Sequence, residues 1–494
     1  MTEKEPIQDE PAARRERLEK AIRLGIDPYP DHVDRTHTIA ELKDKQPSEP
    51  VTIVGRIMSL RPHGGSTFLH IEDGTGQFQA YAKKDHMGDE AYVQFKDLID
   101  VGDFVEMTGT LFVTKRGEQT LDASAWRLVT KTLLPLPEKW HGLQDTEIRF
   151  RKRHLDLLMN RDVRERMVAR SAIIDSIRAT MKKYDFLEVE TPTLQPIYGG
   201  GFARPFKTHH NTLDADFYLR ISDEMYLKRL LVGGMERVYE ITKVFRNEGI
   251  DRDHNPEFTM FEAQAAYQDY NWGMDLFEEL FENAARDVLG KTTIQHGDVA
   301  IDLKRPWKRM RLVDAVATIG KLDVSSWKTI DQAKKAVSKK MESSSKTKEL
   351  DTITTIGEAI AFAFEELVEE KLIDPTIIYD YPVEVSPLAK KCKDPNFTKR
   401  FESFALGSEI GNNYSELNDP VDLEQRFIAE KKRADAGFHE AHQADMDYVE
   451  AIKHGMPPAC GFGIGVDRMI MLLTGASHIK EVILFPTLRP KQYV

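Results

Sequence analysis

Hydrophobic positions along this chain keep two rhythms, a helical one near the N-terminus and a two-residue alternation that begins at Val51. Leu18, Ala21 and Ile22 recur at helical spacing within residues 13–24, and Gly25, Pro28 and Pro30 end that stretch. From 51 to 129 short alternating runs follow one another, at 51–57, 68–71, 78–82, 104–113 and 125–129. Glycine-bearing turns at 63–66, 73–76 and 115–118 separate them. Five strands over about 80 residues, with a helix between the third and fourth, predict a small barrel of the oligonucleotide-binding (OB) kind.

Past a linker at 132–146, which holds Pro135 and Pro137, the pattern becomes mixed. An amphipathic helix at 161–183 precedes an extended stretch at 186–192. Alternation returns at 238–246 and 257–264 with a polar stretch between, a hairpin with a long loop. Gly461, Gly463 and Gly465 alternate just before a short apolar helix at 469–473, and the Lys-, Ser- and Glu-rich stretch 328–352 reads as an exposed helical insert. The expected organisation is a polar, partly helical region at 1–48, an OB barrel at 49–131, the linker, and a second domain at 147–494 with a helical insert at about 305–355. The fold class is α+β.

A chain of 494 residues exceeds one ordinary hydrophobic core, which agrees with two domains. Apolar runs such as 469–473 are far short of a membrane span, and the start at Met1 lacks a basic-then-apolar leader. A cytoplasmic enzyme without a membrane partner is the expectation. Cys392 and Cys460 are the two cysteines, and neither falls at zinc-ligand spacing, so a disulfide framework and a structural zinc are both disfavoured. A net charge of -12 argues against a generally basic coat but leaves room for a local basic groove.

Strand geometry sorts the candidate chemistry. On the first hairpin strand Glu240, Thr242, Val244 and Arg246 share one face; on the second Phe258, Met260, Glu262 and Gln264 do. Arg246 offers a planar fork for phosphate, Phe258 a ring on which a base can stack, and Glu262 a carboxylate for a cation. Taken alone, Arg246 and Glu248 also read as a surface pair and Phe258 as a core residue. His254, Asn255 and a second arginine favour the ligand reading. That arginine, Arg468, stands with Asp467 at a predicted helix start, where helix N-terminus and guanidinium both favour anionic oxygen. In 401–418 a turn near Gly407 is expected to set Glu402 and Glu409 face to face, two hard carboxylates of the kind Mg²⁺ uses beside a polyphosphate. Beyond a bulge expected at Gly411, Asn412, Tyr414 and Glu416 share a face; an exposed polar strand is the plain alternative.

These residues resemble class II aminoacyl-tRNA synthetases and, within them, the bacterial lysine-specific family. Residues 186–192 resemble the first class-defining motif, which in that family builds a dimer interface; 245–262 resemble the second and 461–468 the third. The lysine-specific likeness also covers 199–211, 218–229, 409–418 and 483–490, so the resemblance spans about 51–490. It implies that Arg246 holds the α-phosphate and the substrate carboxylate, that Glu248, His254, Asn255 and Phe258 bind ATP, and that Arg468 holds the γ-phosphate. Glu402 and Glu409 would take Mg²⁺. Gly200, Glu224, Glu262, Asn412, Tyr414 and Glu416 match the lysine pocket. In the barrel, Arg61, Phe68 and Gln79 match positions that contact the anticodon, where an aromatic ring can stack an unpaired base; a core Phe68 and a solvated Arg61 are the other reading.

One position departs from that pattern: Gln264 stands where the family usually has tyrosine. A shorter amide puts discrimination against ornithine or a β-amino isomer in question. The resemblance implies a homodimer that activates L-lysine with ATP and transfers it to tRNA. A ligase that lysylates a protein and a silent tRNA-binding paralogue compete with that reading. The barrel counts against the first, and the Arg246, Glu402, Glu409 and Arg468 set against the second. Acids at Glu262 and Glu416 suit a cationic amino acid better than the substrates of aspartyl or asparaginyl relatives.

Overall fold

The computed structural model describes residues 10–45, 50–137, 143–201, 203–341, 346–435 and 445–490. The start of the chain, the middle of the 132–146 linker and the centre of the 328–352 stretch lie outside the described residues. The chain divides into two units, Met1–Gly142 and Leu143–Val494.

In the first unit, helix α1 (Glu10–Arg23) precedes five strands: β1 (Pro50–His63), β2 (Ser66–Asp73), β3 (Gly76–Lys83), β4 (Phe104–Val113) and β5 (Gln119–Thr130). They close a barrel in the order β1-β2-β3-β5-β4. Inward positions alternate as the pattern predicts, with Ile53, Ile57, Leu69, Ile71, Ala80, Ala82, Val105 and Met107 buried in its core. Helix α2 (Asp89–Leu98) lies between β3 and β4, as expected, and buries Tyr92, Phe95 and Leu98.

The second unit is built on an eight-stranded sheet. Its strands are β6 (Leu187–Glu188), β7 (Arg237–Phe245), β8 (Glu257–Ala266), β9 (Lys308–Arg311), β10 (Thr376–Pro382), β11 (Phe397–Ala405), β12 (Ser408–Ser415) and β13 (Ala459–Gly465). The order is β9-β10-β11-β12-β13-β8-β7-β6, antiparallel except for the two edge pairs. Helix α3 (Arg161–Lys183), with the bounds the periodicity predicts, buries Val163 near its start and Ile173, Ile177 and Met181 at four-residue steps. Helix α5 (Tyr270–Leu289) is capped by the Asp269 side chain, which accepts from the Asn271 and Trp272 amides, and ends at Gly290 in the left-handed region. Phe277 and Phe281 of α5, Ile173 and Ile177 of α3 and Phe261 of β8 share one core. The ligand-facing side of the sheet is the opposite one. Helix α7 (Val466–Thr474) packs in the α3–α5 core, and helix α4 (Glu224–Val232) belongs to a separate cluster.

The stretch at 305–355 supplies β9 at the sheet edge and then short helices that bury Leu312, Val316, Ala333, Val337 and Leu350. Helix α6 (Ile356–Leu367), started by a Thr355–Glu358 capping box, packs in the same cluster.

Candidate functional site

The β7–β8 register puts Glu240 opposite Glu262, Thr242 opposite Met260 and Val244 opposite Phe258, so the alternating face read from sequence is one surface. Phe258, Met260, Glu262 and Gln264 line a cavity of about 360 Å³ together with Arg246, Glu248, His254, Asn255 and Arg468. Gly200, Glu224, Glu409, Asn412, Tyr414 and Glu416 line the same cavity. On β7, Glu240 instead accepts from Arg220 and from the Thr191 hydroxyl, at 2.7 Å each.

Around the phosphate-facing end the two arginines are held differently. Arg246 is half-buried, with its guanidinium 5.2 Å from the Phe258 ring centre and only long contacts, 3.4 and 3.5 Å, to the Ile221 carbonyl. Burial pulls its affinity for the proton down, and Glu248, Glu262 and Glu409 act against that. Arg468 donates to the Glu409 carbonyl at 3.1 Å and lies 3.2 Å from His254 Nε2, while His254 Nδ1 meets Asp251 at 2.9 Å. Asn255 is buried; it donates to the Glu257 carbonyl at 2.6 Å and accepts from the Thr487 amide at 3.2 Å. Beside Arg468, the buried Asp467 pairs with Arg170 at 2.5 Å and accepts the Thr259 amide at 2.6 Å, tying α7 to α3 and β8. Sequence spacing placed Asp467 at the helix start but not in this anchoring role.

The β11–β12 hairpin corrects one expectation. Glu402 stands opposite Asn412, and Glu409 opposite Phe404, so the two are not directly paired; the strands also shift register between Ser403 and Phe404. The extra residue is Ile410, one position before the expected Gly411. Glu402 shares the face of Asn412 but is not among the residues that line the cavity; it accepts from Tyr381 at 2.8 Å and pairs with Arg400. Burial raises the Glu402 carboxyl, Arg400 opposes that, and Glu409 adds to it. Nearby Glu365 and Glu369 are pushed up to about 7, first by burial and next by Glu402. Clustered, mutually repelling carboxylates are a donor set that a hard divalent cation suits. Among the described residues no three such side chains form a ready cage, and Mg²⁺ typically takes only one or two carboxylates plus phosphate oxygens. Arg400, which the sequence reading missed, lines the cavity and donates to Asn412 Oδ1 at 3.1 Å. Its place two residues before Glu402 was the available signal.

The other end of the cavity is acidic. Tyr414 donates to Glu224 at 2.5 Å, Gln264 Nε2 donates to Glu416 at 2.8 Å, and Ser222 donates to Glu262 at 2.8 Å. Gln264 Oε1 is buried with no hydrogen-bond partner. Opposite Gln264 in register stands Gly461, where a Cβ would come within 2.1 Å of Glu416 Oε1 and 2.6 Å of Gln264 Nε2. Only glycine leaves room for that pair. Gly200, with φ +84, is equally constrained: a Cβ there would sit 2.6 Å from Ser222 Oγ. Sequence reading also missed Asp223, fully buried with neither oxygen receiving a hydrogen bond. Burial, then Glu240, pushes its carboxyl up to about 7; burial, then Asp223, holds Glu262 well above the usual range.

In the barrel unit, Arg61, Phe68 and Tyr81 stand opposite one another across β1, β2 and β3, and Ser59, His70 and Gln79 form the next row. Phe68 packs on Tyr81 with ring centres 4.5 Å apart, and Tyr81 lies 6.2 Å from Phe112. Arg61 is exposed and its Nη2 lies 3.1 Å from His70 Nδ1; Gln79 is buried and donates to Thr120 at 2.8 Å. Tyr81 and His70 had no signal beyond strand alternation.

An antiparallel sheet with arginines at one strand end and one helix start, beside an acidic pocket, is consistent with a class II tRNA synthetase catalytic domain. The family described as tRNA synthetases class II (D, K and N) matches residues 145–489, and the OB-fold nucleic acid binding domain matches 51–129. The chain is 48% identical over 483 residues to a lysine–tRNA ligase of Pelotomaculum thermopropionicum, covering 97% of this chain and 94% of that one. It is 46% identical over 500 residues to the lysine–tRNA ligase of Bacillus subtilis, covering 99% and 98%. The chain belongs to the lysine–tRNA ligase family of class II tRNA synthetases.

Proposed function

We propose that this protein is a lysine–tRNA ligase that forms lysyl-adenylate in the sheet cavity and transfers lysine to the terminal ribose of tRNA. The observation that carries the reading is a single cavity with Arg246 and Arg468 towards one end and Glu224, Glu262 and Glu416 at the other. Arg246 receives the lysine carboxylate and the α-phosphate, and Arg468 the γ-phosphate. Phe258 stacks the adenine, with Glu248, His254 and Asn255 beside the nucleotide. The lysine carboxylate attacks the α-phosphorus and pyrophosphate leaves; a ribose hydroxyl then attacks the adenylate carbonyl, the acyl–oxygen bond to phosphate breaks, and AMP leaves with that electron pair while its phosphate takes up the hydroxyl proton.

No side chain is placed as a covalent nucleophile in that sequence. Rate comes from holding the two reactants in line and from stabilising charge on the phosphate oxygens. Glu402 and Glu409 would hold Mg²⁺, which when bound screens the polyphosphate. At the acidic end the substrate ammonium groups meet Glu224, Glu262 and Glu416, with Gly200, Gln264, Asn412 and Tyr414 completing the wall. An opposite charge at about 4 Å contributes roughly 4 kcal/mol at an effective dielectric near 20, before desolvation.

Arg61, Phe68 and Gln79 on the barrel read the anticodon of the tRNA. Val168, Leu187 and Leu194, all exposed large apolar side chains around the first motif, support a homodimer. No described helix is long and apolar enough to cross a membrane. Charging of lysine-accepting tRNA with radiolabelled lysine tests the proposal. Label in acid-precipitable, ribonuclease-sensitive product is expected; label that resists ribonuclease but not protease would establish the protein-lysylating alternative.

A further inference from the structure

Two pairs of acids close the end of the cavity, and they are neutralised in different ways. Glu262 and Asp223 lie together without an ion pair among the described residues, and Ser222 is the hydroxyl donor to Glu262. Glu224 and Glu416 come from different elements, α4 and the end of β12, and one ammonium ties them. That ammonium belongs to Lys228, one helical turn after Glu224 on α4. It pairs with Glu224 and lies 2.5 Å from Glu416 Oε2. It also sits 5.2 Å from the Tyr414 ring centre.

Lys228 is 1% exposed and is not part of the cavity wall; the acids it holds are. Tyr414 and Gln264 complete the frame by donating to Glu224 and Glu416. Tyr448 and Tyr414 are the other titratable groups that face Lys228, and Arg229, which faces Tyr448, pairs with Asp445 instead. Burial works against the Lys228 charge, yet Glu224 and Glu416 outweigh it and hold the ammonium well above its usual range. An ion pair buried this deeply is a poor way to gain stability, since a packed apolar side chain would serve as well or better. Its value lies in the charge it leaves in the cavity.

We propose that Lys228 is a positioning residue for substrate specificity. As a built-in counter-ion it fixes Glu224 and Glu416 in place at the acidic end of the cavity and offsets part of their charge. Glu224, Glu262 and Glu416 line the cavity, and Lys228, outside its wall, is the cation that pairs with two of them. The substrate carboxylate goes to Arg246. A neutral amino acid of the same length leaves one buried carboxylate unmatched. This inference rests on the lysine-activating reading.

The test is lysine-dependent ATP–pyrophosphate exchange with the full-length wild type, Lys228→Met and Lys228→Ala. Lys228→Met keeps the length and removes the charge. It is expected to raise the KM for lysine by about tenfold or more, to lower the preference for lysine over norleucine, and to leave the KM for ATP within about twofold. In Lys228→Ala, n-propylammonium, the fragment that truncation removes, is expected to restore the KM for lysine, and 1-propanol is not. A wild-type KM for lysine in Lys228→Met overturns the proposal. So does equal rescue by 1-propanol, or a parallel loss of ATP affinity or of folded protein, because each reduces Lys228 to a structural role. Absence of lysine-dependent exchange in the wild type defeats the lysine-activating reading itself, whereas normal wild-type exchange with unaltered Lys228→Met kinetics defeats this inference alone.

Discussion

At the scale of single residues, Arg246 and Gly461 carry opposite kinds of constraint. Arg246 has only weak contacts of its own, so its fork is available to ligand oxygens. Arg246→Ala is expected to lower exchange by about 10² to 10³, the cost of one missing donor to developing charge, while the melting temperature changes little; calorimetry alongside the assay checks both. Gly461→Ala adds a methyl where 2.1 Å separates the Cβ from Glu416 Oε1, so the Gln264–Glu416 pair must move. A higher KM for lysine with an unchanged KM for ATP is the expected kinetic signature. Asp223 gives a pH prediction. Its carboxyl titrates near 7 in the folded chain against 3.8 when free, so the folded state keeps a proton that the unfolded state has lost. Stability from this group therefore falls as pH rises from about 4 to 7, and the full cost is present above that. Asp223→Asn is expected to raise the melting temperature relative to the wild type at pH 8 and to do so less at pH 5. Arg246, Glu262 and Arg468 were legible in the sequence because strand alternation and glycine spacing point at them. Lys228 and Asp223 were not, because a buried lysine and a buried aspartate reveal their partners only when α4 is set against β8 and the end of β12.

Elements were read more securely where one period dominates. Helix α3 and the five barrel strands follow from uninterrupted spacing, and β7 and β8 from alternation on both sides of a polar loop. The β11–β12 hairpin was recognised, but its register was not, since Ile410 is extra and sequence carries no count of bulged residues. That one-residue shift moves the partner of Glu402 from Gly411 to Asn412, while Glu409 pairs with Phe404 ahead of it. Helix α7 shows how an element aims a functional side chain: Asp467, bonded to Arg170 and to the Thr259 amide, fixes its first turn. Asp467→Ala breaks a buried pair and leaves Arg170 uncompensated, a loss of about 3–5 kcal/mol in stability. Denaturant titration reads that loss, and the KM for ATP in the folded fraction is expected to rise because Arg468 loses its fixed starting point.

For the whole molecule, the two units carry separable tasks. Phe68 packs against Tyr81 in the barrel, and the residues that line the cavity belong to the second unit. Phe68→Ala is expected to raise the KM for tRNA by about 5- to 150-fold, the worth of one stacked base, and to leave ATP–pyrophosphate exchange unaltered. The two-domain plan was visible in the sequence because the alternation period and the prolines change at its boundary. Tertiary pairing of buried charges was not. The central claim is that one cavity joins a nucleotide end to an end built for a cationic amino acid. Exchange of labelled pyrophosphate into ATP, measured for the wild type with each of the twenty amino acids, ornithine and β-lysine in turn, tests it most directly. Strong exchange with lysine, and at least about 10²-fold less with neutral or acidic amino acids, is the predicted result; equal exchange with aspartate or asparagine, or none with lysine, would contradict it.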